Sequence, residues 1–327
     1  MLDIVIAFII LLGGVVLILF SSKLAVKHSV YLASSLGISS FVIGITLVSI
    51  GTDISEIFNS IISSYLGHGD INVGDSVGSG LSQLTLVFGL LPIICGKFFV
   101  NRKQFLIIGS CEVLALILVF TVVEKGYFTH LDALFLILSL FFYILVSYNV
   151  TKDEMDKNVD VMLLDSSDSL NRKKLYYLAF ATIGFLGVTL SSIMIIQSII
   201  FISDKLNIEE FLFSFFILSL GTSLPELSVD ITALKKKHYN LAIGDIIGSC
   251  IVDATLSIAI GNLFFPQSVS TNFAIPAIIY TIIVSLIVVL IVSKRQVMDK
   301  KSGVLFISLF LISIPILFAF YSSMHIF

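Results

Sequence analysis

GTSLPE at residues 221–226 and GDIIGS at residues 244–249 have an earlier copy in the same chain: GTDISE at residues 51–56 and GDSVGS at residues 74–79. Each matched residue is offset by 170 positions without a gap, and residues 49–86 laid on 219–256 give 12 identities in 38 positions. The identities fall on chemically special residues: both Gly-Thr pairs, Glu56 with Glu226, Gly74-Asp75 with Gly244-Asp245, and Gly78-Ser79 with Gly248-Ser249. An internal repeat resets the unit of structure. The unit here is half the chain.

The residues around these motifs are apolar. The chain is 57% hydrophobic and 13% charged, against roughly 25% charged residues in an average soluble domain, so its solvent is lipid. About 20 helical residues cross a hydrocarbon core, and ten runs of that kind are expected near 3–21, 31–66, 71–96, 104–123, 130–149, 176–203, 208–234, 240–264, 270–293 and 303–323. Transmembrane barrels read instead as alternating segments of about ten residues. The expected class is therefore an all-α polytopic membrane protein. Its first run follows the acidic Asp3 without a basic start or a small-residue cleavage site, so it is read as a retained helix and not as a signal peptide.

Lysine and arginine accumulate in cytoplasmic loops. Counted over alternate loops, 17 of the 19 basic residues fall on one side, leaving only Lys125 and Lys205 on the other. This predicts a cell-membrane protein with both termini on the non-cytoplasmic side and a cytoplasmic 150–174 loop. Five spans per half is an odd number, so the second half must enter the membrane from the opposite side. The expected organisation is a first five-helix repeat at 1–149 with its motif region at 41–90, a linker at 150–174, and a second, inverted five-helix repeat at 175–327 with its motif region at 211–260. The mixed-charge linker is too short for a folded domain of about 50 residues. Inverted repeats with discontinuous helices are the usual plan of secondary transporters, with substrate bound near the midplane.

Cys95, Cys111 and Cys250 lack paired spacing and read as free buried thiols. The five histidines form no ligand cluster, and His68 and His238 in matching loops read as a coincidence of loop chemistry. A transporter rather than an enzyme is expected, with no cofactor, no nucleic-acid partner and no obligate protein partner. Its partners are the lipid bilayer and the transported ions.

Eight carboxylates lie within the expected spans: Asp53, Glu56, Asp75, Glu112, Glu226, Asp230, Asp245 and Asp253. Each costs about 2.5–3.5 kcal/mol at a helix centre on insertion scales and needs a reason. Glu56 and Glu226 each follow Gly-Thr by one turn in mid-span, and inverted symmetry makes them converge. Two carboxylates meeting in low dielectric repel unless a cation lies between them. Calcium suits the place, since it takes roughly 6–8 oxygens at about 2.3–2.6 Å in flexible geometry.

Carbonyls freed by a helix break would supply further ligands. Gly51 and Gly221 weaken the second and seventh spans, and Pro225 removes a donor and clashes with the Gly221 carbonyl; the first copy carries Ser55 in place of that proline. Thr52, Thr222 and Ser223 add hydroxyls suited to sodium as well as calcium. In the next helix of each half, Ser79 with Gln83 and Ser249 with Asp253 are one turn apart and share a face. Gly74, Gly78, Gly244 and Gly248 allow close helix packing. Asp75 and Asp245 are expected to favour helix amino termini near the interface. Asp230 reads equally as part of an access path and as a solvated helix end, and Glu112 as a protonated or hydrogen-bonded contact.

In these motifs the chain resembles the calcium/cation antiporter superfamily, and within it the prokaryotic sodium/calcium exchangers; Gly221 to Glu226 repeats one family motif letter for letter. The resemblance implies four ion sites between spans two, three, seven and eight. Glu56 and Glu226 would bind calcium and share sodium, helped by Thr52 and Thr222, while Ser79, Ser223 and Ser249 would line sodium sites. Asp253 falls where the family has a central acid, Gln83 where it commonly has asparagine, and Val48 and Leu218 where a backbone carbonyl is used. Asp53 departs from the family's serine and adds a carboxylate at a sodium position.

The expected function is calcium extrusion coupled to sodium influx by alternating access, and the resemblance implies that the first and sixth spans slide across a rigid core. The alternative is a divalent-cation/proton exchanger with Asp53 and Asp253 as proton carriers. An intramembrane aspartyl protease would not require duplicated Gly-Thr-x-x-x-Glu turns, and a channel would pass currents above carrier turnover.

Overall fold

The computed structural model describes residues 2–35, 49–155, 174–237 and 239–324. The fold is nearly all helical, and among the described residues eight helices are long and apolar enough to cross a membrane. The chain is a multi-pass membrane protein. The fifth expected span continues as helix to Met155, so the first residues of the anticipated 150–174 linker are helical, and helix resumes at Lys174. The second expected span is described only from Ser49, leaving Val48 outside the described residues, as is His238.

Two long helices pair with each other. Leu2–Ser35 and Lys174–Leu206 run against each other along much of their length and share an apolar cluster built on Leu11, Ile18, Val188, Ile195, Ile199 and Ile202. Small residues let them approach: a Cβ at Gly184 would meet the backbone of Ala25, and one at Gly187 would meet Ser21. Most of the remaining buried apolar side chains form a separate, larger core centred on Phe88, Phe105, Phe215 and Phe306.

The interruptions at Gly-Thr are present in both halves. Helix Ser49–Thr52 ends at Asp53 (φ −84°, ψ 14°) before Ile54–Leu66 begins, and Ser219–Thr222 ends at Ser223 (φ −79°, ψ 0°) before Leu224–Lys235. The two conformations nearly coincide although only the second copy has proline, so Pro225 is not required for the break. Helix Gly69–Ser82 continues through a π turn at Gln83–Val87 into Phe88–Ile94, and Tyr239–Val252 continues through a π turn at Asp253–Ser257 into Ile258–Phe264. A third π turn, Ser214–Leu218, precedes the break in the second half. Such turns leave i→i+4 bonds unmade and recur at functional sites.

Two short antiparallel pairs tie the halves together: Phe98–Phe99 with Val297–Met298, and Tyr127–Phe128 with Gln267–Ser268. The first pair joins the loops carrying Lys97, Arg102 and Lys103 and carrying Lys294, Arg295, Lys300 and Lys301, which puts these two basic loops on one face of the protein.

Gly74 and Gly78 pack as expected of small residues, since a Cβ on either would collide with Ser214 or with the backbone of Phe211 and Phe215. The equivalents of those partners in the first half, residues 41, 44 and 45, lie outside the described residues. Asp75 and Asp245 are corrected. Each is the seventh residue of its helix and buried, two turns from the amino terminus, so neither caps it. His68 holds the cap position of Gly69–Ser82 instead, and it does so without a side-chain capping bond.

Candidate functional site

All ten residues singled out as ion ligands are buried: Thr52, Asp53, Glu56, Ser79, Gln83, Thr222, Ser223, Glu226, Ser249 and Asp253. The two broken helices carry Thr52, Asp53, Glu56, Thr222, Ser223 and Glu226, while Gly69–Ser82, Tyr239–Val252 and the π turns that follow them carry Ser79, Gln83, Ser249 and Asp253. One carboxylate oxygen from each of Asp53, Glu56 and Glu226 can be chosen so that all three lie within 4.8 Å of one another. Ligands on opposite sides of a calcium ion with bonds of about 2.3–2.6 Å are about 4.6–5.2 Å apart. The three oxygens therefore fit around one hard cation.

Hydroxyls and one amide surround the carboxylates. Ser55 Oγ donates to Glu56 Oε2 at 2.7 Å and Ser79 Oγ donates to Glu56 Oε1 at 3.4 Å. Ser223 Oγ lies 3.0 Å from Ser79 Oγ and 2.9 Å from Ser82 Oγ. Gln83 Nε2 donates to Ser79 Oγ and to Asp253 Oδ2, both at 3.2 Å, and Thr52 Oγ1 lies 3.4 Å from Ser249 Oγ. These contacts and the carboxylate cluster link seven of the ten residues into one polar centre, and Thr52, next to Asp53 in the chain, pairs with Ser249 beside it.

Thr222 is the tenth. Its hydroxyl donates to Asp75 Oδ1 at 3.3 Å and also reaches the Leu218 and Ser219 carbonyls. Asp75 is held in addition by Asn59 Nδ2 at 3.1 Å, which gives this carboxylate a structural set of partners. Ser55, Ser82 and Asn59 were not singled out by sequence. Ser82 lies three residues after Ser79 and Asn59 three after Glu56, and one-turn spacing from a chosen ligand is the signal that finds them.

Among the described residues, both carboxylate oxygens of Asp53 and of Glu226 and one of Asp253 are buried without a hydrogen-bond partner. The ion pairs among these residues, His68–Glu210, Lys125–Asp132 and Arg295–Asp299, all lie elsewhere. A buried carboxylate without counter-charge is strongly disfavoured. A cation held among these oxygens would neutralise them.

The sequence profile of the sodium/calcium exchanger protein family matches residues 6–149 and 175–319. The chain belongs to this family. An uncharacterized membrane protein of Methanocaldococcus jannaschii is 29% identical over 302 residues, covering 92% of this chain and 94% of its own length. The sodium/calcium exchanger MaX1 of Methanosarcina acetivorans is 27% identical, covering 95% and 98%. Among solved structures, the sodium-calcium exchanger NCX_Mj soaked with sodium and strontium matches at a TM-score of 0.60 and 25% identity, over 95% of this chain and 98% of that one. As a sodium/calcium exchanger family member the chain is a cation exchanger, and it keeps its carboxylates, hydroxyls and helix breaks together at one buried centre.

Proposed function

We propose that the chain is a secondary-active antiporter that exchanges calcium for sodium by alternating access. The observation that carries this reading is the convergence of Asp53, Glu56 and Glu226 within 4.8 Å in a buried centre that has no basic partner among the described residues. Calcium is held by Glu56 and Glu226. Sodium entering the hydroxyl-lined positions of Thr52, Thr222, Ser79, Ser223 and Ser249, with Asp53, Gln83 and Asp253 alongside, competes for the same carboxylates and releases it.

Charge enforces the exchange. An empty site would carry several unpaired carboxylates through a low-dielectric barrier, and that cost blocks the return of an unloaded transporter. Either cargo removes the cost, so only loaded states switch sides.

In this reading ten spans form two inverted five-helix repeats, 1–149 and 175–327, joined by a cytoplasmic 150–174 loop, with both termini on the opposite side. Reciprocal strand pairing between the halves supports a two-fold relation. So does the contact of equivalent residues, which meet only near such an axis: Gln83 bonds Asp253, and Cys250 Sγ reaches the Gly80 carbonyl at 3.5 Å. The paired helices Leu2–Ser35 and Lys174–Leu206 move as one unit across the site. Their packing against each other along much of their length supports this, as does the seating of Gly51 against Val26 and of Gly221 against Val15.

A second reading, divalent-cation/proton exchange, is favoured by one observation: Asp53 brings a third carboxylate into contact distance where the resemblance leads one to expect serine. Asp53 and Asp253 would then carry protons. Calcium-45 uptake by proteoliposomes under an imposed sodium gradient tests the two. Uptake driven by sodium at equal pH supports sodium coupling, and uptake driven by a pH gradient without sodium overturns it.

A further inference from the structure

Beyond the central site lies a second pair of buried acids. Asp230 follows Glu226 by one helical turn on the same face of Leu224–Lys235, towards the end that carries Lys235, Lys236 and Lys237. It is 0% exposed, and both of its carboxylate oxygens are buried without a hydrogen-bond partner among the described residues. Asp245 is on Tyr239–Val252, which packs against Leu224–Lys235, and it precedes Ser249 by one turn. It is 5% exposed, and its Oδ2 is also buried without a partner among those residues. The two acids therefore sit on helices packed against each other, Asp230 one turn from Glu226 and Asp245 one turn from Ser249, so the pair borders the centre.

The other half of the molecule supplies an internal control. The equivalent of Asp245 is Asp75, which is satisfied by Asn59 and Thr222. The equivalent of Asp230 is Ser60, whose hydroxyl accepts the Gly261 N–H at 3.1 Å. One scaffold thus resolves as a closed structural network in the first half and as two unneutralised carboxylates in the second. No ion pair among the described residues involves either acid.

We propose that Asp230 and Asp245 form a second cation site, where calcium pauses between the central carboxylates and the Lys235–Lys237 face. The donor set is oxygen only and carries two negative charges, which selects a hard divalent ion completing its shell with water. The Glu226-to-Asp230 spacing of one turn, about 5.4 Å along the axis, makes transfer to the centre a short step. Calcium arriving from this face exchanges hydration water for carboxylates in two stages. Among the described residues the equivalent place in the other half, Ser60 beside the satisfied Asp75, holds no such acid pair, so the protein binds cargo asymmetrically.

The inference rests on calcium being the cargo of the proposed antiporter, and equilibrium binding separates the two claims. Calcium-45 binding to the purified full-length protein in detergent is expected to show a tight site and a weaker one. Asp230→Asn and Asp245→Asn should each weaken the second by at least about tenfold and spare the first, whereas Glu226→Gln should do the reverse. Asp230→Ser, which restores the residue type of the other half, should act like Asp230→Asn and guards against misfolding of the amide variant. In oriented proteoliposomes the Asp230 variants should raise the calcium KM only from the Lys235–Lys237 face, with the saturating rate unchanged. Unaltered binding and unaltered KM from both faces in the Asp230 and Asp245 variants overturn the proposal, and so does an equal rise in KM from both faces. Loss of sodium-driven flux in wild type with the weaker site still lost in the variants would sink the antiport reading and keep this site.

Discussion

Gln83 and Asp253 are 170 residues apart, hold the same position in the two halves of the repeat, and hydrogen-bond to each other, Nε2 to Oδ2 at 3.2 Å. Each opens a π turn, so the widened backbone of both helices faces this one contact. An acid opposite an amide satisfies one oxygen of Asp253 and leaves the other facing the polar centre. Two acids here would repel across the axis.

Gln83→Leu strips Asp253 of that donor while keeping side-chain size. A buried acceptor left without its partner costs about 1–3 kcal/mol, so the variant should unfold at a lower temperature in a detergent thermal-shift measurement. Gln83→Asn, one methylene shorter, should lose less, and its calcium transport should survive. Equal stability of Gln83→Leu and wild type would remove the hydrogen bond from the account.

Asp53→Ser takes the third carboxylate out of the centre. In the sodium-coupled reading it should keep calcium flux and alter its sodium dependence, because Glu56 and Glu226 remain. In the proton-coupled reading it should abolish flux driven by a pH gradient. Proteoliposome flux at fixed calcium, with sodium and pH varied separately, distinguishes these outcomes.

How the repeats pack is a separate, structural test. A Cβ at Gly78 would collide with the Phe215 carbonyl, which is backbone and cannot swing away. Gly78→Ala should destabilise by about 1–3 kcal/mol. Gly80, two positions on, has open space around its Cβ position among the described residues, and Gly80→Ala should be neutral or stabilising by up to about 1 kcal/mol through helix propensity. Thermal shift of the two variants side by side reads the difference.

The meeting of Glu56 and Glu226 was legible in the amino-acid sequence, because spacing puts each one turn beyond a Gly-Thr pair and an inverted second half is expected to bring them together. Asp53 stood out as a residue at odds with its equivalent, Ser223, and it joins the cluster. The π turns were not legible, since an i→i+5 turn has no residue signature. The break at Asp53 looked weaker without proline, yet it matches the one at Ser223 in backbone conformation. The apolar run starts near residue 71, which by sequence puts Asp75 close to a helix end. The helix begins at Gly69, and the side chain's partners, Asn59 and Thr222, lie 16 and 147 residues away in sequence, beyond the reach of local pattern.

Glu56→Gln and Glu226→Gln should leave the fold intact, since neither residue is in an ion pair among the described residues. Removing one charge from a buried, mutually dependent set costs about 2–5 kcal/mol of interaction with its partner. Calcium flux should fall by about two orders of magnitude or more in each variant, with thermal stability near that of wild type.

The central claim is that calcium and sodium compete for the carboxylates of Glu56 and Glu226, and equilibrium calcium-45 binding titrated with sodium tests it most directly. Sodium should displace calcium from the tight site of the wild-type protein at constant pH, with the apparent calcium affinity falling steadily as sodium rises, and Glu226→Gln should lack that tight site. Tight calcium binding that sodium leaves unchanged, or that persists in Glu226→Gln, would contradict the account.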